Sequence, residues 1–270
     1  MVTLNKSEYK RFVSNCPVRC RILTQNIQNL ADYISVISAS ITSKDVFWFR
    51  GHESVKWTLI PSALRYGSEG DRTRALKLLS EFKRVAEIKI SRPPGPKEEL
   101  KWVQLAQHYG LPTRLLDWTE SATIALYFAC LKTSLDGVVF MLNPVDLNKL
   151  SYPKKPWIFD SQSDGSIIKK YLSLSGKQSK RGPGTIAVNP TWNSDRLMLQ
   201  KSVFTLHGAR FDLDKDQAPS LVAVPILTES KPSLREALGR VGVDESSIFP
   251  ELEHTCNFLK RRANLDQESL

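Results

Sequence analysis

Gln107-His108-Tyr109-Gly110-Leu111-Pro112-Thr113-Arg114-Leu115-Leu116-Asp117-Trp118-Thr119 is the most informative stretch of the chain. It sets His, Tyr, Arg, Asp, Trp and Thr around one Gly-Pro turn, where packing alone would prefer few polar groups. On its N-terminal side, Lys97 to Tyr109 has helical character, and Gly110 is placed to end that helix. On its C-terminal side, Glu120 to Leu131 is strongly apolar and reads as a buried helix. Asp117 is its expected cap, with Glu120 three positions on completing an acidic capping box. A polar and aromatic loop ahead of a buried helix is a candidate ligand wall. There an indole or phenol can stack on a flat heterocycle while Asp or Thr hydrogen-bonds a ribose. The plainer alternative has Asp117 and Thr119 capping the helix and Trp118 in the core. That explains these three residues but not His108, Tyr109 and Arg114 beside them.

A second unusual segment lies upstream. Val46-Phe47-Trp48-Phe49 is aromatic and β-branched, as expected of a buried strand, and it runs into Arg50-Gly51-His52-Glu53. A guanidinium ending an apolar strand must find an anion or a carboxylate, because an unpaired buried charge is costly. Arg50 is suited to a bidentate grip on phosphate. A structural ion pair with an internal acid such as Asp117 is the other possibility. Gly51 allows a ligand or another backbone to come close.

Working outward, Ile27, Leu30, Ile34 and Ile37 predict an amphipathic helix in an N-terminal helical extension over residues 1–45. Ala75, Leu79, Phe82 and Ala86 predict another over Asp71 to Ile90, with a basic outer face. Arg92-Pro93-Pro94-Gly95-Pro96 is a breaker, read as a stiff loop. Strands are expected at Gly137–Leu142, Thr185–Val188, Ser202–Leu206 and Leu221–Val224, the last stopped by Pro225. Ser151 to Pro183 reads as irregular and contains the basic run Lys177 to Arg181. A capped helix start is expected at Pro232, and Pro250 fits the first position of a last helix reaching Arg262. Helices and strands mix without regular alternation, which predicts an α+β fold with mixed strands rather than a doubly wound one.

The chain has 270 residues, of which 41% are hydrophobic and 24% charged, as expected of a globular protein with a substantial core. No apolar run approaches the roughly 20 residues that span a bilayer, so no membrane partner is expected. Met1 to Phe12 is too polar for a signal peptide. Four cysteines do not make a disulfide framework, and a cytoplasmic, reducing location is expected. Cys16 and Cys20 have the spacing of half a zinc site but no second pair, so no metal is expected. Hydrolase elbows, phosphate-binding P-loops, dinucleotide glycine fingerprints and metalloprotease motifs are absent. The net charge of +10 favours anionic partners, nucleic acid foremost.

Phe49-Arg50-Gly51 with Trp57 to Arg65 resembles the opening of the FRG domain, a family named for that tripeptide. His108 to Thr119, followed by Ala125-Leu126-Tyr127-Phe128-Ala129, resembles its second motif. Arg196 to Gln200 with Ser202-Val203-Phe204-Thr205 is similar to its third, and Ile248 to Leu252 to its C-terminal signature. The resemblance implies an FRG domain over residues 46–262, followed by a tail over 263–270. The order of motifs further resembles ADP-ribosyltransferases, which implies an ADP-ribosyltransferase-like split-sheet core with surrounding helices, and NAD as substrate. The implied counterparts of that family's catalytic positions are Arg50, Asp117 and Gln200. The implied NAD-binding residues are Arg50, Gly51, His108, Tyr109, Arg114, Trp118 and Thr119, with Tyr109 or Trp118 stacking on nicotinamide. One departure stands out: such enzymes carry a Glu where this chain has Gln200, and an amide cannot take a proton. Asp117 and Glu53 are then the candidate acids. Glu251 and Glu253 have the spacing of paired glutamates seen in some transferases but are set aside as lying in a late helix. The function this implies is transfer of ADP-ribose from NAD to a macromolecule, with RNA the favoured acceptor. The natural setting is a toxin or phage-defence effector with a neutralising antitoxin. The alternatives are a non-enzymatic nucleic-acid- or nucleotide-binding module and a protein-interaction module.

Overall fold

The structure, a computed structural model, describes residues 2–41, 46–191 and 194–263. Most of the expected tail, residues 264–270, lies outside the described residues.

One mixed sheet organises the chain. Its strands are β1 (Arg21–Ile22), β2 (Trp48–His52), β3 (Leu115–Thr119), β4 (Gly137–Leu142), β5 (Thr185–Val188), β6 (Ser202–His207) and β7 (Val222–Ile226), in the order β1-β7-β4-β2-β3-β6-β5. All neighbours run antiparallel except β1 and β7. The α+β class stands. The segment expected as an N-terminal helical extension supplies helices α1 (Lys6–Asn15) and α2 (Leu30–Ser40), and it also contributes β1 to this sheet.

Side-chain alternation sorts the strands onto two faces. Trp48, Leu116, Trp118, Val138, Phe140, Leu142 and Val203 form one continuous core on the first face, joined by Phe12 of α1. The second face is divided into two clusters. Around β2, β4 and β7, Phe49, Val139, Met141 and Val224 pack under α2 and α5 (Ala122–Ala129). Around β3, β5 and β6, Leu115, Ile186, Phe204 and Leu206 pack under Leu100 and Val103 of α4 (Glu99–His108) and Ile168 and Tyr171 of α7 (Gly165–Leu172). The division coincides with a weak seam in the sheet. β2 pairs with β4 from Trp48↔Leu142 to His52↔Val138, and β3 with β6 from Leu115↔Leu206 to Thr119↔Ser202. Between β2 and β3 only Phe49↔Thr119 is in register.

Several expectations change. Asp117 caps no helix: Leu115–Thr119 is the central strand β3, and the helix after it begins at Ala122, where the Ser121 hydroxyl accepts from the Ile124 N–H. Pro225 does not stop β7 but sits within it, opposite Val138. Beyond Ala223 that strand has no neighbour on the β1 side, so the missing N–H is tolerated. Residues 151–183 are not irregular throughout, since α7 lies among them. The last helix, α11 (Leu252–Arg262), begins two residues after Pro250. It follows α9 (Lys231–Arg240) and α10 (Glu245–Ile248) in the chain. The basic helix is α3 (Glu69–Lys89); α6 (Pro144–Ser151) and α8 (Asp195–Leu199) complete the set among the described residues.

Candidate functional site

Where β2 and β3 part, the space between them opens into a cleft of about 490 Å³. Arg50, Gly51, His108, Asp117, Trp118, Thr119 and Gln200 all line it, although they are spread over 151 positions from first to last. Arg50 projects from the first face of β2 toward the seam. Its Nη1 donates to the backbone carbonyl of Asp117, an acceptor that a regular β2–β3 ladder would have used. Its Nε donates to His52 Nε2 at 2.8 Å. No carboxylate oxygen lies within ion-pairing distance of Arg50 among the described residues. The Asp117 carboxylate instead accepts from Gln107 Nε2 at 2.6 Å, and Gln107 Oε1 accepts from the Thr113 hydroxyl. The expected Arg50–Asp117 ion pair is thus a contact with main chain, and Nη2 is left without a protein partner among the described residues.

Burial lowers the Arg50 pKa to about 10, with the Arg65 charge acting the same way and the Asp117 charge opposing both. Arg50 therefore stays cationic at neutral pH. The same burial, with the charges of Arg50 and Arg65, holds His52 well below its ordinary value, so its Nε2 accepts as a neutral imidazole should. His108, half-buried on the opposite wall, is lowered by burial and by the charge of Arg196, which also lines the cleft. Glu53 lines the cleft at the end of β2 and pairs with Lys132 at 3.0 Å.

Several of the predicted ligand-binding residues make contacts that serve the fold. A Cβ on Gly51 would stand 1.8 Å from the Ala125 carbonyl oxygen and 2.7 Å from the Ala129 nitrogen. The glycine lets the α5 backbone lie on the sheet, which is the second of the two possibilities its sequence raised. Arg114 is 2% exposed and lies outside the cleft. Its guanidinium donates to the carbonyls of His207 (3.0 Å), Gly208 (3.1 Å), Leu174 (3.1 Å) and Ser175, knitting β3 to the loops around it. Tyr109 is 65% exposed beside His108, at the outer end of α4 and away from the lining. Trp118 touches the cleft but is 3% exposed, and its indole N–H donates to Thr205 Oγ1 at 3.0 Å within the core. It offers no free ring face for stacking. The Thr119 hydroxyl donates to the Gln200 carbonyl at 2.7 Å and fixes α8 over the seam.

Sequence reading passed over Gln104, a mid-helix amide of α4, and gave no role to Gln107 near the end of that helix, since local pattern distinguishes neither from a surface polar residue. Both line the cleft, and the Gln104 and Gln200 Nε2 atoms are buried without a hydrogen-bond partner among the described residues. The cleft thus presents a cation and unspent N–H donors, the complement of a ligand rich in oxygen acceptors. Among the described residues no group of three or more His, Cys, Asp or Glu could hold a metal, and no helix is long and apolar enough to cross a membrane.

Residues 45–136 match the family model of the FRG domain, so this chain carries an FRG domain over that stretch. The match takes in the Arg50 strand, α3, α4, β3 and α5, and hence both walls of the seam. No curated protein and no solved structure matches the chain significantly.

Proposed function

We propose that the cleft binds NAD and that the protein transfers ADP-ribose to a macromolecular acceptor. One observation carries the reading: Arg50, a half-buried cation at a seam in the sheet, lines a cleft large enough for part of a dinucleotide and has no carboxylate partner among the described residues. A pyrophosphate is the ligand group that best satisfies a guanidinium so placed. The seam, where the strands part at Phe49↔Thr119, accords with the split sheet of an ADP-ribosyltransferase-like fold. In the reaction the bond between nicotinamide and the ribose C1′ breaks, and its electron pair leaves with nicotinamide. An acceptor heteroatom donates a pair to C1′, and its proton passes to a base. Asp117 and Glu53 are the carboxylates that line the cleft and can take that role; Gln200 can only orient the ribose by hydrogen bonding. The protein's share is positioning and electrostatic stabilisation of the cationic sugar. RNA is the favoured acceptor, with α3 a basic surface within the matched domain, in the setting of a toxin or phage-defence effector held by an antitoxin.

A second reading is favoured by Gln200 itself. A site without a carboxylate at that position suits nucleotide binding without turnover. Incubation with NAD labelled in the adenylate half, together with RNA, DNA and protein fractions, separates the two. Transfer of label to one fraction, lost in a folded Arg50→Met variant, supports the transferase. Binding without transfer or nicotinamide release supports the binding module.

A further inference from the structure

Gln104 is 2% exposed and lines the cleft from the middle of α4. Its carboxamide is not free to turn. Oε1 accepts from both the N–H (3.3 Å) and the hydroxyl of Thr191. Two donors on one atom identify it as the oxygen, so the other atom must be the NH₂ group. That Nε2 is buried and has no partner among the described residues. An orphaned buried donor destabilises the free protein, and a bound acceptor relieves that cost. Gln200 presents a second orphaned Nε2 in the same cleft, and Phe128, Leu197 and Phe204 supply apolar surface beside them. This part of the cleft is therefore apolar and rich in donors, and Arg196 on its wall is paired with Glu251 at 3.6 Å, unlike Arg50.

We infer that Gln104 is a specificity-determining residue whose Nε2 donates to an uncharged carbonyl oxygen of the bound ligand. Resting on the NAD reading above, that acceptor is the carboxamide oxygen of the nicotinamide ring. A heterocycle with a carbonyl substituent fits a pocket of apolar walls and unspent donors, whereas a phosphate finds its counter-charge at Arg50. Thr191 acts as a positioning residue, holding the amide so that its donor faces inward.

The test is a cycle of two proteins and two ligands, read by calorimetric titration. The ligands are NAD and pyridine adenine dinucleotide, which lacks the carboxamide. Gln104→Met keeps the length of the side chain and removes the donor. The expected result is that Gln104→Met weakens NAD about tenfold, and that wild type also binds the pyridine analogue about tenfold more weakly than NAD. The variant should then bind both ligands alike. Equal weakening of both ligands by Gln104→Met, or no weakening of NAD, overturns the inference while leaving NAD binding standing. If wild type binds neither dinucleotide, the NAD reading itself fails and this assignment with it. Should Gln104→Met not fold, Thr191→Val replaces it. That change removes the hydroxyl, one of the two donors that hold the amide, and leaves the backbone N–H; the expected loss for NAD is threefold or more with little change for the pyridine analogue, and an unchanged NAD affinity overturns the inference.

Discussion

Gly51 sits in the tripeptide Phe49-Arg50-Gly51, beside the proposed ligand, and would be taken for a ligand-binding residue; the structure assigns it to packing. Gly51→Ala tests that assignment. The added Cβ would lie 1.8 Å from the Ala125 carbonyl oxygen and 2.9 Å from its carbon, both backbone atoms of α5. Ordinary contact begins near 3.4 Å, so helix and strand must separate by more than 1 Å. The helix cannot do so cheaply, because Ala125, Leu126 and Ala129 are fully buried against Phe49 and Val139. Overpacking of this severity costs about 3 kcal/mol. For a chain of this size that is a fall in Tm of about 6 °C. Gly239→Ala in α9 is the control: nothing lies within 4 Å of its Cβ, and the change should stabilise by about 0.5 kcal/mol. Urea melts followed by circular dichroism give both values. A Gly51→Ala protein with the wild-type midpoint would refute the packing argument, and one that is stable yet fails to bind NAD would return Gly51 to the ligand site.

Two further outcomes follow from buried polar groups. Arg114→Lys should cost about 3 kcal/mol or more, because a compact ammonium cannot reach four carbonyls spread around a planar fork, and urea melts of the variant check it. Acid should destabilise the fold through His207. Its Nδ1 can only donate to the Phe211 carbonyl (2.9 Å), so Nε2 accepts from Thr205 (2.9 Å) and the ring is neutral. Burial lowers its pKa to about 3, against about 6.5 in the unfolded chain, so the unfolded state binds the extra proton. The contribution is complete above about pH 6.5 and falls by about 1.4 kcal/mol per pH unit below it, about 2 kcal/mol by pH 5. Urea midpoints at pH 7.5, 6 and 5 measure this, and a flat profile would contradict it.

The sequence was most legible where one physical signal dominated. Gly137–Leu142 and Thr185–Val188 are strands with the predicted bounds, since continuous apolar β-branched runs are what strands buried on both faces require. The basic helix runs Glu69–Lys89 against an expected Asp71 to Ile90. β3 was hidden for the reason that makes it interesting. Asp117 interrupts an otherwise apolar central strand because it faces the cleft, and that single carboxylate made the segment look like a helix cap. α7 was obscured because its eight residues lie among Ser, Gly and Lys, although Ile168 and Tyr171 carry its buried face. The cleft residues near the tripeptide and the central motif could be read because they break local packing rules. Gln104 could not, since an orphaned amide exists only after α4 has been packed against Thr191.

In the proposed function Arg50 is a ligand-binding cation rather than a structural one. Calorimetric titration of NAD and ADP-ribose into wild type and a folded Arg50→Met variant tests it most directly. Loss of a charge-assisted contact predicts that the variant binds both ligands about 30-fold more weakly, since the pyrophosphate is common to them. Equal affinity for the two proteins, or no binding of either ligand to wild type, would contradict it.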